Sequence, residues 1–203
     1  NRELKVSGEV HFRYKFLAVN SNMKKLYETW YSQSMDDPLA AETAAFLSRL
    51  PREEQTHWAA QYYGVLGAMG VVTGKPDGTF SPDEQVDRAS MSKLVWGAMP
   101  YLNGKVLPAG GVDSPLVGTA GTWAEGYIAV LHSQGYLEQE DYPNGFFPAD
   151  PMPRAEVVKL LVRALGYEDD GTVDGTAYPD VTEDFYYIAK ATELGIITGK
   201  PDG

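Results

Sequence analysis

The sequence predicts a mainly α-helical chain made of repeated helix-loop-helix units, with a β-strand segment at its amino end. Three observations predict it. Gly70-Val71-Val72-Thr73-Gly74-Lys75-Pro76-Asp77-Gly78 returns as Gly195-Ile196-Ile197-Thr198-Gly199-Lys200-Pro201-Asp202-Gly203, and only two valines have changed, to isoleucine. A match of that length is internal repetition, which dictates architecture before any single motif does. Aligned on Gly70, Gly135 and Gly195, the chain places Tyr62, Tyr127 and Tyr187 eight residues earlier, Tyr63, Ile128 and Ile188 seven earlier, and Leu66, Leu131 and Ala191 four earlier. These offsets put one apolar stripe on one helix face in three units. Finally, Leu4 to Leu17 alternates, with Val6, Val10, Phe12, Tyr14 and Phe16 on one side and Lys5, Glu9, His11, Arg13 and Lys15 on the other. Period two marks a strand.

Taken in order, residues 1–20 form that strand segment, whose partner is open: it docks on the helical part or pairs with another chain. Residues 21–54 hold two helices. Asn20–Ser34 carries Met23, Leu26, Tyr27, Trp30 and Tyr31 at three-and-four spacing, and Asp37-Pro38 opens a second helix running to Leu50, since aspartate caps free amides and proline fits a first turn. The first repeat unit spans 55–110, the second 111–172, and the third 173–203 in its first half only.

In each complete unit an apolar pair follows the glycine, then a turn-rich loop, then a second helix. Lys75-Pro76-Asp77-Gly78 and Tyr142-Pro143-Asn144-Gly145 have proline early and glycine last, as tight turns do. Arg88 stands six residues after Pro82 and Arg154 six after Pro148. Asp87 can cap one second helix; Pro153 opens the other, and Gly166 stops it. Asn103–Gly121 and Glu168–Pro179 are linkers by composition. Ala41-Glu42 with Phe46-Leu47 and Arg49 lines up with Ala155-Glu156, Leu160-Leu161 and Arg163. The Pro38–Leu50 helix is therefore expected either to complete the third unit by permutation or to leave that role to chain beyond Gly203.

The 203 residues carry a net charge of −11, which argues against broad nucleic-acid binding, since that needs a basic face. No apolar run approaches the ~20 residues of a membrane helix. Cysteine is absent, removing thiolate metal sites and cysteine nucleophiles. His11, His57 and His132 are scattered without metal-ligand spacing, and no nucleophile elbow occurs. Asp77, Thr79, Ser81 and Asp83 faintly resemble a calcium loop but lack its glycine and its final glutamate, so they read as a turn. Neither an enzyme, a metal site nor a cofactor is expected.

Arg88 and Arg154 open helices, where the dipole disfavours cations by a few tenths to ~1 kcal/mol. Two readings offset that mismatch: an ion pair with an acid of a neighbouring unit, or an anion site where free amides and a guanidinium meet a carboxylate. Trp58 and Trp123, twelve residues before their glycines, are core residues or rim platforms for a sugar ring; the third unit has Glu183 there. Lys75 and Lys200, beside Gly74 and Gly199, are exposed turn residues or ligand cations.

These pieces together resemble the S-layer homology domain of bacterial surface proteins. The resemblance rests on His57-Trp58-Ala59, Gly70 through Pro82 and Asp87-Arg88-Ala89-Ser90; on Thr122-Trp123-Ala124, Gly145-Phe146-Phe147-Pro148 and Pro153-Arg154-Ala155-Glu156; and on Tyr178-Pro179-Asp180-Val181 with Gly195 through Gly203. It implies a pseudo-threefold, three-pronged helical bundle at the cell surface, anchoring its parent protein by binding an acidic, pyruvylated secondary cell-wall polysaccharide or another peptidoglycan-linked polymer. It implies ligand-binding roles for Arg88 and Arg154, with Lys75, Lys200, Gly74, Gly199 and Asp77 as loop contacts beside Trp58 and Trp123. Ser90 replaces the motif glutamate in the first unit, and Glu138-Gln139-Glu140-Asp141 replaces the second loop's usual residues, which puts the grooves' equivalence in doubt. The competing readings are a self-assembly unit of a surface layer that associates through residues 4–17, and the wall-binding portion of an outer-membrane or envelope protein, an enzyme included.

Overall fold

The computed structural model describes residues 38–108, 110, 113–173 and 183–197. The expected Leu4–Leu17 strand and Asn20–Ser34 helix lie outside these residues, as do Gly199 and Lys200. Among the described residues the chain is helical, with α1 at Pro38–Leu47, α2 at Arg52–Gln55, α3 at Ala60–Ala68, α4 at Arg88–Leu102, α5 at Glu125–Ser133, α6 at Arg154–Ala164 and α7 at Phe185–Glu193. A short 3-10 turn covers Gln139–Asp141. Extended pairing among these residues is limited to one antiparallel bridge between Asp87 and Pro151.

The repeated glycine is the stop signal of each unit's first helix. Gly70, Gly135 and Gly195 have φ of 73°, 76° and 67°, a left-handed conformation that costs other residues about 1 kcal/mol or more. That turn lets Val71 N–H donate to Leu66 O at 2.9 Å, Tyr136 N–H to Leu131 O at 3.0 Å and Ile196 N–H to Ala191 O at 2.8 Å, the Schellman closure of a helix end. The apolar pair after each glycine is thereby turned inward. Val71, Val72, Tyr136, Leu137 and Ile196 are all buried.

The second helices begin and end where the sequence predicts. Asp87 caps α4, its Oδ1 accepting from Ser90 N–H at 2.6 Å, and α4 continues through Pro100 to Leu102. Proline in the last turn removes one N–H and leaves the end otherwise intact. Pro153, with φ of −60°, sits at the N-cap of α6.

Helix pairing joins consecutive units. α1 packs on α3, α4 on α5, and α6 on α7; a further contact brings α4 against α6. In α4·α5 and α6·α7 a unit's second helix meets the first helix of the following unit, and α1, which precedes the first unit, meets α3. Gly64 and Gly67 of α3 make room for that approach: a Cβ on Gly67 would fall 2.3 Å from the Phe46 ring.

Three apolar clusters follow from the pairing. One holds Phe46, Leu50, Ala60, Tyr63, Val71 and Val72; the largest holds Val95, Met99, Leu116, Ile128, Leu131, Leu137, Phe146 and Leu160; the last holds Val158, Val162, Tyr187, Leu194 and Ile196. Leu94 and Ala98 of α4 reach the first while Val95 and Met99 serve the second. α6 likewise divides Leu160 and Ala164 from Val158 and Val162. Each fully buried aliphatic or aromatic side chain is worth ~1.5–3 kcal/mol. The two second helices therefore bind the clusters into one body.

Candidate functional site

The repeated loop is closed by its own backbone. Lys75 N–H donates to Thr79 O at 2.7 Å, Gly78 N–H donates to Lys75 O at 3.0 Å, and Asp77 Oδ1 accepts from both Thr79 N–H and Thr79 Oγ1. These bonds from Thr79 hold the Asp77 carboxyl below the usual carboxylate range. A side chain on Gly74, at φ of 77°, would meet Thr79 O at 3.1 Å. Lys75 Nζ is paired with Glu84 at 2.5 Å.

A buried glutamate that the sequence pattern did not single out positions the loop's far side. Glu54, in the short α2, accepts from Phe80 N–H at 2.7 Å and from Ser81 N–H at 2.8 Å, holding Ser81 at φ of 56°. Its backbone carbonyl accepts from the Tyr63 hydroxyl, and Tyr63 stacks on Phe80 at 4.3 Å. An acid three residues after the helix-ending Pro51 is an ordinary surface pattern, so no local signal marks it.

Arg88 lies where two units meet. Its Nε and Nη2 donate to Glu156 Oε2 and Oε1 at 2.8 and 2.7 Å, its Nη1 donates to Phe146 O at 3.1 Å, and the guanidinium lies over the Tyr142 ring at 5.5 Å. The Glu156 hydrogen bonds hold its pKa above the ordinary arginine value, against the opposing pull of burial. Bidentate pairing of this kind is geometrically selective as well as charged. Glu156 thus supplies the anion that offsets the dipole mismatch, and its carboxylate stands where a ligand carboxylate was expected. The helix amides are also taken: Arg88 N–H donates to Asp150 O, Ala89 N–H to Pro148 O and Ser90 N–H to Asp87. Arg154 occupies the same repeat position on α6 and is exposed.

Trp58 and Trp123 are on the surface, 62% and 61% exposed, which rules out the core reading. Both precede the first turn of their helices and so fall off the buried stripe. Each has a tyrosine edge four residues on, Tyr62 at 6.3 Å and Tyr127 at 6.4 Å, and Trp96 of α4 extends the second strip at 5.0 Å from Tyr127.

Where the second and third units meet, charge replaces this aromatic strip. Lys159 Nζ bonds Asp141 at 2.5 Å and Asp184 at 2.7 Å, and Arg163 bonds Asp141 and Glu138 at 2.5 Å and the Tyr187 hydroxyl at 3.0 Å. Burial pulls the pKa of both cations down, but these partners more than compensate and leave both raised. Burial also pushes the neighbouring Tyr142 phenol well up. A cavity of about 340 Å³ opens here between the second loop, α6 and the start of α7, lined by Glu140, Asp141, Glu156, Lys159, Arg163 and Asp184 among others.

The structure therefore brings Arg88 together with the second unit, and gives Lys75, Asp77 and Gly74 one loop and the two tryptophans equivalent rims. No group of three or more histidine and acidic residues suited to a metal occurs among the described residues, and none of their helices is long and apolar enough to cross a membrane.

Against known proteins, residues 56–92 and 177–203 match the S-layer homology domain model. Cell surface glycoprotein 1 of Acetivibrio thermocellus is 31% identical over 159 residues, covering 74% of this chain and 6% of that protein. The cellulosome-anchoring protein of the same organism is 31% identical over 156 residues, covering 70% of this chain and 34% of the relative. S-layer protein EA1 of Bacillus anthracis is 29% identical over 154 residues, covering 75% and 17%. The chain spans at most about a third of the length of these relatives.

Proposed function

The chain belongs to the S-layer homology family through residues 56–92 and 177–203, and from that premise we propose that it is a non-catalytic module that anchors a bacterial surface protein to a cell-wall polymer. Its place is the cell surface, associated with the wall. The relatives differ in name and in total length yet share this one portion, which supports a common attachment role. The observation that carries the reading is the pair Trp58 and Trp123: equivalent positions in two units, nearly equal exposure, and no neighbour that buries them. Exposing two tryptophans at a repeat position forgoes the burial that each would gain in a core, and a flat indole is the usual surface for an apolar sugar face.

The finer reading is an acidic, pyruvylated polymer held in grooves of a three-pronged bundle. The three like pairs α1·α3, α4·α5 and α6·α7 support the pseudo-threefold arrangement, with α1 standing for the second helix of the third unit. In this reading Lys75, Lys200 and the exposed Arg154 meet carboxylates at the rim, beside Gly74, Gly199 and Asp77, and Arg88 holds the groove wall through Glu156.

Co-sedimentation with purified wall sacculi tests the proposal. Replacing Trp58 and Trp123 together by alanine removes stacking worth ~1 kcal/mol or more at each site, so retention should fall about tenfold or more while circular dichroism stays that of the parent. Undiminished retention of a folded double variant would reject the platform assignment, and a parent that stays in the supernatant would reject anchoring itself.

A further inference from the structure

Both complete units hold the same strained backbone at the same place, and they hold it by different means. In the segments Phe80-Ser81-Pro82 and Phe146-Phe147-Pro148 the middle residue is left-handed, Ser81 at φ of 56° and Phe147 at φ of 44°. Neither is glycine, and a residue with a side chain keeps such a conformation only where its surroundings over-determine it. In the second unit packing does this. The Phe147 ring lies across Gly118 and Gly145, where added Cβ atoms would fall 3.3 and 3.0 Å from it, and Phe146 N–H donates to Val117 O at 2.8 Å. In the first unit a charge does it. Glu54 receives Phe80 N–H and Ser81 N–H on separate carboxylate oxygens, and among the described residues no cation accompanies it. A buried carboxylate is a costly way to hold one N–H, and the second unit shows that a backbone carbonyl suffices for that. What the carboxylate adds is a grip on two successive amides, which fixes the turn at Ser81.

The grip reaches the exposed face of the loop through Thr79. Its carbonyl accepts from Lys75 N–H, its own N–H and hydroxyl donate to Asp77, and a side chain on Gly74 would meet that same carbonyl. Tyr63 backs the tether from the core, donating its hydroxyl to Glu54 O and stacking on Phe80. Lys75 and Asp77, both exposed, therefore take their places from a residue of α2, which lies outside the stretch 56–92 that matches the family model. We propose that Glu54 is the positioning residue of the first wall-facing loop, fixing Ser81 and, through Thr79, the face at Lys75 and Asp77, so that α2 belongs to the anchoring module although it precedes the first repeat match. This rests on the wall-anchoring reading and adds to it a residue that touches no ligand.

The test uses the full chain carrying Glu54→Gln, whose amide can accept one N–H and turns a donor on the other. Two readouts are taken on folded protein: retention on wall sacculi, and the titration of Asp77 followed by the NMR shift of its carboxyl carbon. The bonds from Thr79 hold Asp77 below the usual carboxylate range, so a loosened loop should raise it. Removing a nearby negative charge acts in the opposite direction, so a rise reports the loop and not the lost charge. Loss of one charge-assisted hydrogen bond from the loop should lower affinity for sacculi about tenfold. Glu53→Gln, exposed on the same helix, is the charge control: retention should match the parent and Asp77 should be no higher. Glu54→Asp keeps the charge on a side chain one methylene shorter; it should move both readouts in the same direction, and it carries the test if Glu54→Gln does not fold. A folded Glu54 variant with either Asp77 or retention unmoved would overturn the proposal and leave anchoring intact. A parent that stays in the supernatant would remove the anchoring reading, and this proposal with it, whatever Asp77 does.

Discussion

At the scale of single residues the decisive contact is Arg88 with Glu156, because it converts a mismatch on one helix into a bond between two units. The pair is neither fully buried nor loose: the side chains are 14% and 25% exposed, and both fork bonds are under 3 Å. Breaking a fully buried pair costs ~3–5 kcal/mol and an exposed one ~0–1, so Glu156→Gln should cost about 2 kcal/mol. Urea denaturation would show a lower midpoint with an unchanged slope. A loss under ~0.5 kcal/mol would mean that Phe146 O and Asp150 alone hold the guanidinium. Arg88→Ala is the poorer experiment for ligand binding, since it removes the clasp and leaves Glu156 without its partner.

At the scale of elements the glycines separate into two kinds with different costs. Gly70 needs its left-handed φ but has open space around a Cβ, whereas Gly67 has an ordinary helical backbone and no space at all. Gly67→Ala should therefore cost ~2 kcal/mol or more by forcing α1 off α3, and Phe46→Leu in the same chain should recover part of that. A double-mutant cycle in urea measures the coupling; additive losses would show that α1 and α3 do not meet through that contact. This contrast also shows what was legible in the sequence. Helix stops, caps and stripes were, because they are local: Asp87 caps α4, Gly166 follows α6, and the Pro38 helix ends at Leu47, three residues short of the expected Leu50. The loop was legible for the same reason, down to the turn at Lys75–Gly78. What was not legible depends on who sits across a gap. Glu54 reads as one acid among many until Phe80 and Ser81 are folded onto it. The tryptophans are ambiguous in the sequence because an indole near a helix start can turn either way, and spacing points inward: Trp58, Tyr62 and Leu66 step by four residues, as do Trp123, Tyr127 and Leu131.

At the scale of the molecule the repeat in the sequence and the unit of folding are different objects. A sequence unit such as 55–110 contains α3 and α4, whose packing partners α1 and α5 both lie outside it. Excised, it would leave Val95, Met99 and Leu102 of α4 without the α5 and α6 residues that bury them, and α3 without Phe46. A fragment cut across the repeat boundary, 85–166, keeps α4 with α5, α4 with α6, the Arg88–Glu156 fork and the largest apolar cluster entire. A helix of nine residues is marginal alone and takes its stability from the face it buries, so partners decide which fragment folds. Fragment 85–166 should therefore give a cooperative urea transition followed by circular dichroism, and fragment 55–110 a gradual loss of weak helicity. The reverse result would return the folding unit to the sequence repeat and leave the inter-unit pairs as consequences of assembly.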